Sequence, residues 1–186
     1  IDSNFSKVQM VDSVLLNTDL SRSDLSDGNY NNTNFSGATL TGCDLSGVSA
    51  IKAVFKKANL QETKNQDSKF DGADLSKSNL TRSIFDKTSL IGSNFNGADL
   101  TLASFNSSIM TKANFTFSQM SKADFTNADL SMAKFKKTNA SGTIMVSTNL
   151  TGVKLEASKF DGANFENANL SKIISIGSDF INSSFK

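Results

Sequence analysis

The sequence predicts a solenoid of short extended sides that turns a corner every five residues, and three observations predict it. Positions 5, 10, 15 and onward to 185 form an unbroken column that holds Phe, Leu, Met or Tyr at 33 of its 37 places. Two residues earlier runs a second column of small or β-branched residues (Ser3, Val8, Ser13, Thr18, Ser23 and onward), of which Ile173 is the bulkiest member. Ten of the eleven glycines share one register position, two after the central residue, and proline is absent. A period of five fits neither the helical 3.6 nor the strand 2.0, so no single helix or strand gathers both columns onto one face. A short fixed period marks a repeat architecture whose units bury their apolar residues only against their neighbours.

Each register position has its own physical reason. The central residue is the large inward one, and 14 of the 15 phenylalanines lie there, Phe117 being the exception. The residue two before it must fit beside that side chain, hence its small size. The residue two after it turns the corner, where a left-handed backbone is cheapest for glycine; Asn and Lys fill most of the remaining corners. Proline is excluded where nearly every N–H is needed by a neighbouring coil.

The wording Ala58-Asn59-Leu60, Ala73-Asp74-Leu75, Ala98-Asp99-Leu100, Ala128-Asp129-Leu130, Ala163-Asn164-Phe165 and Ala168-Asn169-Leu170 resembles the A-(D/N)-L-x-x signature of the pentapeptide-repeat family, over the whole chain. The resemblance implies an all-β fold, a right-handed quadrilateral parallel β-helix with four repeats to a coil of about twenty residues. About nine coils then fit in the 186 residues, as one domain over 1–186 without a linker. At roughly 4.8 Å between paired strands, the rod is on the order of 45 Å long.

Four central positions break the pattern. Ala50 and Ala140 call for large neighbours to lean in, and Ser175 lies near the end. Asn65 falls between Leu45 and Phe85 in its ladder, which leaves an outward bulge, a buried Asn bonded to backbone, or a binding notch. Toward the two ends, outward positions that are polar elsewhere become apolar: Val11, Val14 and Leu16 on one side, Ile174, Ile176 and Ile181, with Ile173, on the other. These are candidate end interfaces, because an open β-helix end is a template for further pairing. Ile1 enters and Lys186 leaves in mid-repeat, so the chain reads as a segment of a longer protein. Its ends would meet flanking domains of the same chain or a second copy end to end.

Catalytic chemistry has little to work with. Histidine and tryptophan are absent and the one cysteine, Cys43, falls in the small inward column. That leaves no Cys/His metal cluster, no His-based nucleophile system and no internal disulfide, and no cofactor is expected. The carboxylates Asp24, Asp44, Asp74, Asp99, Asp124 and Asp129 follow the small column and should face outward as solvated wall residues. The corner glycines open no helix and so form no phosphate loop. No transmembrane stretch or signal peptide is visible in these residues.

Function must then reside on the walls, and the net charge of +1 divides unevenly among them. The wall centred on 5, 25, 45 carries −3, that on 10, 30, 50 carries +1, that on 15, 35, 55 carries +5 and that on 20, 40, 60 carries −2. The basic wall supplies Lys56, Lys57, Lys77, Lys134, Lys136, Lys137 and Lys154, with Phe117 on its corner ladder. Such a wall could meet nucleic acid, anionic lipid or an acidic protein, but one aromatic and no Arg make a poor nucleic-acid signature.

The resemblance also implies possible roles. Quinolone-resistance members of the family are thought to imitate duplex DNA against gyrase by shape and strong negative charge; this chain shares the rod but not the charge. Other members serve as the β-helix part of bacterial multidomain or secreted effector proteins, in the bacterial cytoplasm or a host cell. The expected function is therefore a non-catalytic scaffold for protein partners, with DNA mimicry as the alternative and basic-wall binding of nucleic acid or membrane third.

Overall fold

Parallel pairing at a constant offset organises the chain. In the computed structural model, which describes residues 1–186, the residue before each central position pairs with the residue twenty further on, from Asn4↔Asp24 to Asn164↔Ser184. Twenty residues are four repeats, so side chains of equal register stack coil upon coil. There are no helices; three segments lengthen into three-residue strands, β1 (Lys134–Lys136), β2 (Lys154–Glu156) and β3 (Ile174–Ile176), which form one parallel sheet in the order β1-β2-β3.

The backbone of one repeat shows why this wording folds this way. The Thr33 N–H closes the preceding turn onto the Tyr30 carbonyl (3.1 Å), and the Asn34 N–H reaches the Ser13 carbonyl of one adjacent coil (2.9 Å). The N–H groups of Phe35 and Gly37 reach Val54 and Lys56 on the other adjacent coil (2.7 and 3.0 Å). That leaves one donor per repeat, the N–H after the central residue, and Asn34 Oδ1 accepts it from Ser36 at 3.0 Å. The Asp or Asn of the signature is thus a turn cap, and Asp44, Asp74, Asn94, Asn114 and Asp124 cap in the same way. Elsewhere an acceptor one coil away serves: Asn31 for Ile51, Asp71 for Ile91 and Asp86 for Asn106. All five donors of this repeat are in use, so a proline within it would forfeit a bond.

Every corner residue from Asp2 to Asn182 has positive φ, and 27 of these 37 are not glycine. A left-handed third residue in a four-residue turn is the type II arrangement. Lys, Asn, Asp and Arg hold most of these corners, but Leu102, Phe117 and Met132 hold three and stand out into solvent.

Inside, the central column is buried without interruption from Leu20 to Phe165. Phenylalanines of equal register stack face to face at the coil repeat: Phe35–Phe55 at 4.9 Å, Phe95–Phe115 at 5.1 Å, Phe115–Phe135 at 4.9 Å and Phe105–Phe125 at 5.1 Å. Neighbouring columns meet edge to face, as between Phe115 and Phe125 at 82°, the arrangement that ring quadrupoles favour. Many hydroxyls of the small column donate to central-residue carbonyls, Ser83 to Leu80 (2.6 Å) and Thr148 to Phe125 (2.8 Å) among them, whereas the buried Ser108 hydroxyl has no partner. Cys43 Sγ lies 2.9 Å from the Leu20 carbonyl in the same manner. Gly28, the one glycine of that column, makes room for Tyr30: a Cβ there would lie 2.7 Å from the ring carbon Cζ and the hydroxyl oxygen.

Of the alternatives at Asn65, the structure has the buried one. Its neighbours stay in register (Asp44↔Lys64, Lys64↔Ile84), so the side does not bulge. Asn65 Nδ2 donates to Thr63 Oγ1 (2.8 Å) and to the Ile84 carbonyl (3.3 Å), while Oδ1 has no partner. No cavity opens at Asn65, Ala50 or Ala140; rings from adjoining columns close in instead, Phe55 with Phe70 at 5.6 Å and Phe135 with Phe160 at 5.8 Å.

Candidate functional site

The acidic side chains are tied to structure before any chemistry. The hydroxyl and N–H of Ser21 and of Ser26 hold the carboxylates of Asp19 and Asp24 below the usual range. The Arg22 guanidinium does the same for Asp2, with the ion pair at 2.7 Å. Such groups stay ionised at neutral pH, and a general acid needs the opposite shift. Burial pushes Tyr30 up to about 12 and Cys43 up to about 11, so both are neutral and the thiol is inert. No three Cys, Asp or Glu residues converge into a possible metal site. No helix is long and apolar enough to cross a membrane.

The basic wall divides into two groups. Lys56, Lys57 and Lys77 project from exposed positions toward one end. Lys57 and Lys137 share a corner ladder but lie four coils apart, about 19 Å at the strand spacing. Between the groups the wall is neutralised by a ladder of amides, in which Asn94 Nδ2 donates to Asp74 Oδ1 (3.0 Å) and Asn114 Nδ2 to Asn94 Oδ1 (3.1 Å).

The second group is brought together by β1 and β2. At the corners after Phe135, Leu155 and Ser175 the closing turn bond is absent, and the extended backbone runs one residue further before the left-handed bend at Lys137, Ala157 and Gly177. The residue before each of these central positions is Lys134, Lys154 or Ile174, none of which can cap a turn as Asx does. The cap's loss permits the opening but does not dictate it, since Ile84 and Ile144 keep the turns that follow them. Register sets Lys134 against Lys154 and Lys136 against Glu156. Lys136 and Glu156 pair at 2.8 Å, whereas Lys134 and Lys154 have no carboxylate partner. Thr116, Lys134, Phe135, Lys136, Lys154 and Glu156 surround a depression of about 130 Å³. Beside it the Lys137 ammonium sits 5.8 Å from the Phe117 ring centre, and Phe117 is 52% exposed. Thr116 and Glu156 complete this site without having been singled out; following the ladder one place after the central column would have found both, because Thr116, Lys136 and Glu156 are consecutive rungs.

Most of the apolar positions near the ends face outward on the terminal coils. Val11, Val14 and Leu16 are exposed on the first coil, and Ile174, Ile176 and Ile181 on the last described stretch. Ile173 instead turns inward and packs partly buried against the core. A different apolar surface closes around the first coil, where Phe5, Met10, Leu15, Thr18, Leu20, Leu25 and Tyr30 line a depression of about 120 Å³. Exposed Ile91, Ile109 and Met132 on the wall centred on 90, 110 and 130 were not singled out by sequence, because isolated apolar residues in a polar column carry no periodic signal.

The family model for pentapeptide repeats (8 copies) matches residues 31–64, 68–106, 108–146 and 148–186. No curated protein matches the sequence. Among solved structures, the chain is similar to HetL, a pentapeptide repeat protein involved in heterocyst differentiation regulation from the cyanobacterium Nostoc sp. strain PCC 7120. Identity there is 21%, with 100% of this chain and 92% of that one covered and a TM-score of 0.45. It is also similar to a trypsin-treated form of QnrB1, a plasmid-mediated fluoroquinolone resistance protein, at 20% identity, with 99% and 91% covered and a TM-score of 0.49. A pentapeptide repeat protein from the Arabidopsis thaliana thylakoid lumen matches at 26% identity over 61% of this chain and 68% of that one, with a TM-score of 0.34. The match is to a repeat family rather than to a family of enzymes, and with most of its length covered the chain belongs to the pentapeptide-repeat family.

Proposed function

We propose that the chain is a right-handed, quadrilateral β-helix of about nine coils that works as a non-catalytic scaffold, presenting its walls to protein partners within a larger bacterial protein. One observation carries the reading. Three of the five residues in a repeat are committed to the core and the corner, and the Asp or Asn that could do chemistry is spent as a turn cap. Only outward side chains on rigid walls remain, and such surfaces serve recognition. DNA mimicry finds no support in the charge, since the most acidic wall carries −3 and another carries +5.

The test is to place a photocrosslinking amino acid at one outward position on each wall of the full-length protein, expressed in its own cell. Crosslinks to a discrete protein from at least one wall support the scaffold reading. Their absence from all four walls overturns it. A gyrase supercoiling assay with excess protein separates the alternative, for which inhibition or altered quinolone sensitivity would be required.

A further inference from the structure

The sheet β1-β2-β3 carries a local conflict. Lys134 and Lys154 are register partners on adjacent parallel strands, so two lysine side chains leave the same face from backbones about 4.8 Å apart. Like charges directly opposite one another destabilise a sheet, and no carboxylate relieves these two. The rungs before them on the same ladder are Asp74, Asn94 and Asn114, which bond to each other. The ladder therefore changes from self-satisfying to self-repelling where the depression of about 130 Å³ opens.

Apolar side chains flank the conflict along the rod axis. Phe117 projects from the corner of the coil before β1, three register positions from the ladder of Lys134, Lys154 and Ile174, and Ile174 and Ile176, 50% and 65% exposed, lie on β3 beyond β2, so the strip runs obliquely to the axis. From the Phe117 coil to the β3 coil is three steps, about 14 Å. An extended peptide turns alternate side chains to one face, so its first and fifth residues lie about 13 Å apart. The strip thus has the spacing of apolar, acidic, apolar at alternate positions of a five-residue segment.

We propose that this strip binds an extended acidic peptide whose central carboxylate lies over Lys134 and Lys154 and whose flanking apolar residues rest on Phe117 and on Ile174 and Ile176. The proposal rests on the scaffold reading and names the chemistry of one partner. Nucleic acid fits the strip less well: no Arg lies on this wall, and a phosphodiester chain has nothing to offer the isoleucines. A peptide lying along the strip crosses the strands, so it gains no sheet hydrogen bonds. Binding is then carried by side chains and weakens as salt rises.

The experiment is fluorescence anisotropy with a labelled Ser-Phe-Glu-Asp-Glu-Phe-Ser peptide at low salt. It is run beside an amide version (Gln-Asn-Gln), a version with both Phe replaced by Ser, a single-stranded oligonucleotide and phosphatidylserine vesicles. Saturable binding of the acidic peptide is expected. It should fall at least tenfold in the Lys134→Gln/Lys154→Gln double variant and severalfold in Phe117→Ser, and hold steady in Lys57→Gln. Circular-dichroism melting of the double variant should match or exceed the parent, because a repulsion is removed, which keeps a binding loss from being mistaken for misfolding. Equal binding of the amide or Ser version, full binding by the double variant, or tighter binding of oligonucleotide or vesicles overturns the proposal. Failure here with crosslinks present on some wall sinks only this inference, whereas absent crosslinks on every wall sink the scaffold reading beneath it.

Discussion

Asn65 puts an unpaired amide oxygen into a column of Leu and Phe. A buried polar atom without a partner costs about 1–3 kcal/mol, and an apolar residue of the same shape removes that cost. Asn65→Leu should therefore raise the stability by about 1 kcal/mol in chemical denaturation; a drop would show that its bonds to Thr63 and Ile84 outweigh the orphaned oxygen. Gly28 is the opposite case, since any side chain there meets the Tyr30 ring. Gly28→Ala should cost about 1–3 kcal/mol by overpacking. Acid sensitivity belongs to this scale as well. The Ser26 hydroxyl and N–H lower the folded pKa of Asp24, so the stability that carboxylate contributes is present above the unfolded value of about 3.9 and is lost as pH falls through the depressed folded value. Asp24→Asn keeps the cap and should flatten that part of the acid transition, read as the thermal midpoint against pH. Periodicity gave no hint of this capping role, because it follows from accounting for every N–H rather than from the repeat length. It could have been found in the recurrent Ser or Thr just after the central residue, as in Asn34-Phe35-Ser36.

At the scale of one coil, stability comes from stacked rings and the walls add little. Phe105 lies 5.3 Å from Phe85, 5.1 Å from Phe125 and edge-on to Phe95 at 6.0 Å. Phe105→Ala should cost about 3–5 kcal/mol, whereas Glu156→Gln, which breaks an exposed ion pair with Lys136, should cost under about 1 kcal/mol. Denaturant midpoints compare the two directly, and a similar loss in both would contradict this division of labour. The rings were legible in the sequence, because a large residue every fifth position with a twenty-residue stack fixes which side chains meet. The unclosed corners after Phe135, Leu155 and Ser175 were not. Ile84 and Ile144 also offer no capping side chain, yet the turns that follow them close, so composition at one position does not decide the geometry. The site built on those corners was accordingly visible as a run of lysines but not as a depression with Glu156 inside it.

Across the whole molecule, each coil touches only the next, so opening should start where one side has no neighbour. Residues before Leu20 and after Phe165 are already partly exposed in the central column. Amide exchange should be slowest over roughly residues 80–135, where Phe85 to Phe135 interlock, and fastest toward both ends; uniform protection would mean that the rod opens as a single unit. The constant offset of twenty residues also makes the chain a counting frame. Removing twenty residues between Lys77 and Phe117 would shorten the rod and leave every later side chain on its own wall. Removing five would rotate all of them by one wall, sending Lys134, Lys136 and Lys154 away from Lys56, Lys57 and Lys77 while leaving the interior readable. Insertions and deletions in this protein thus have two separate phases, one that preserves folding at multiples of five and one that preserves recognition at multiples of twenty.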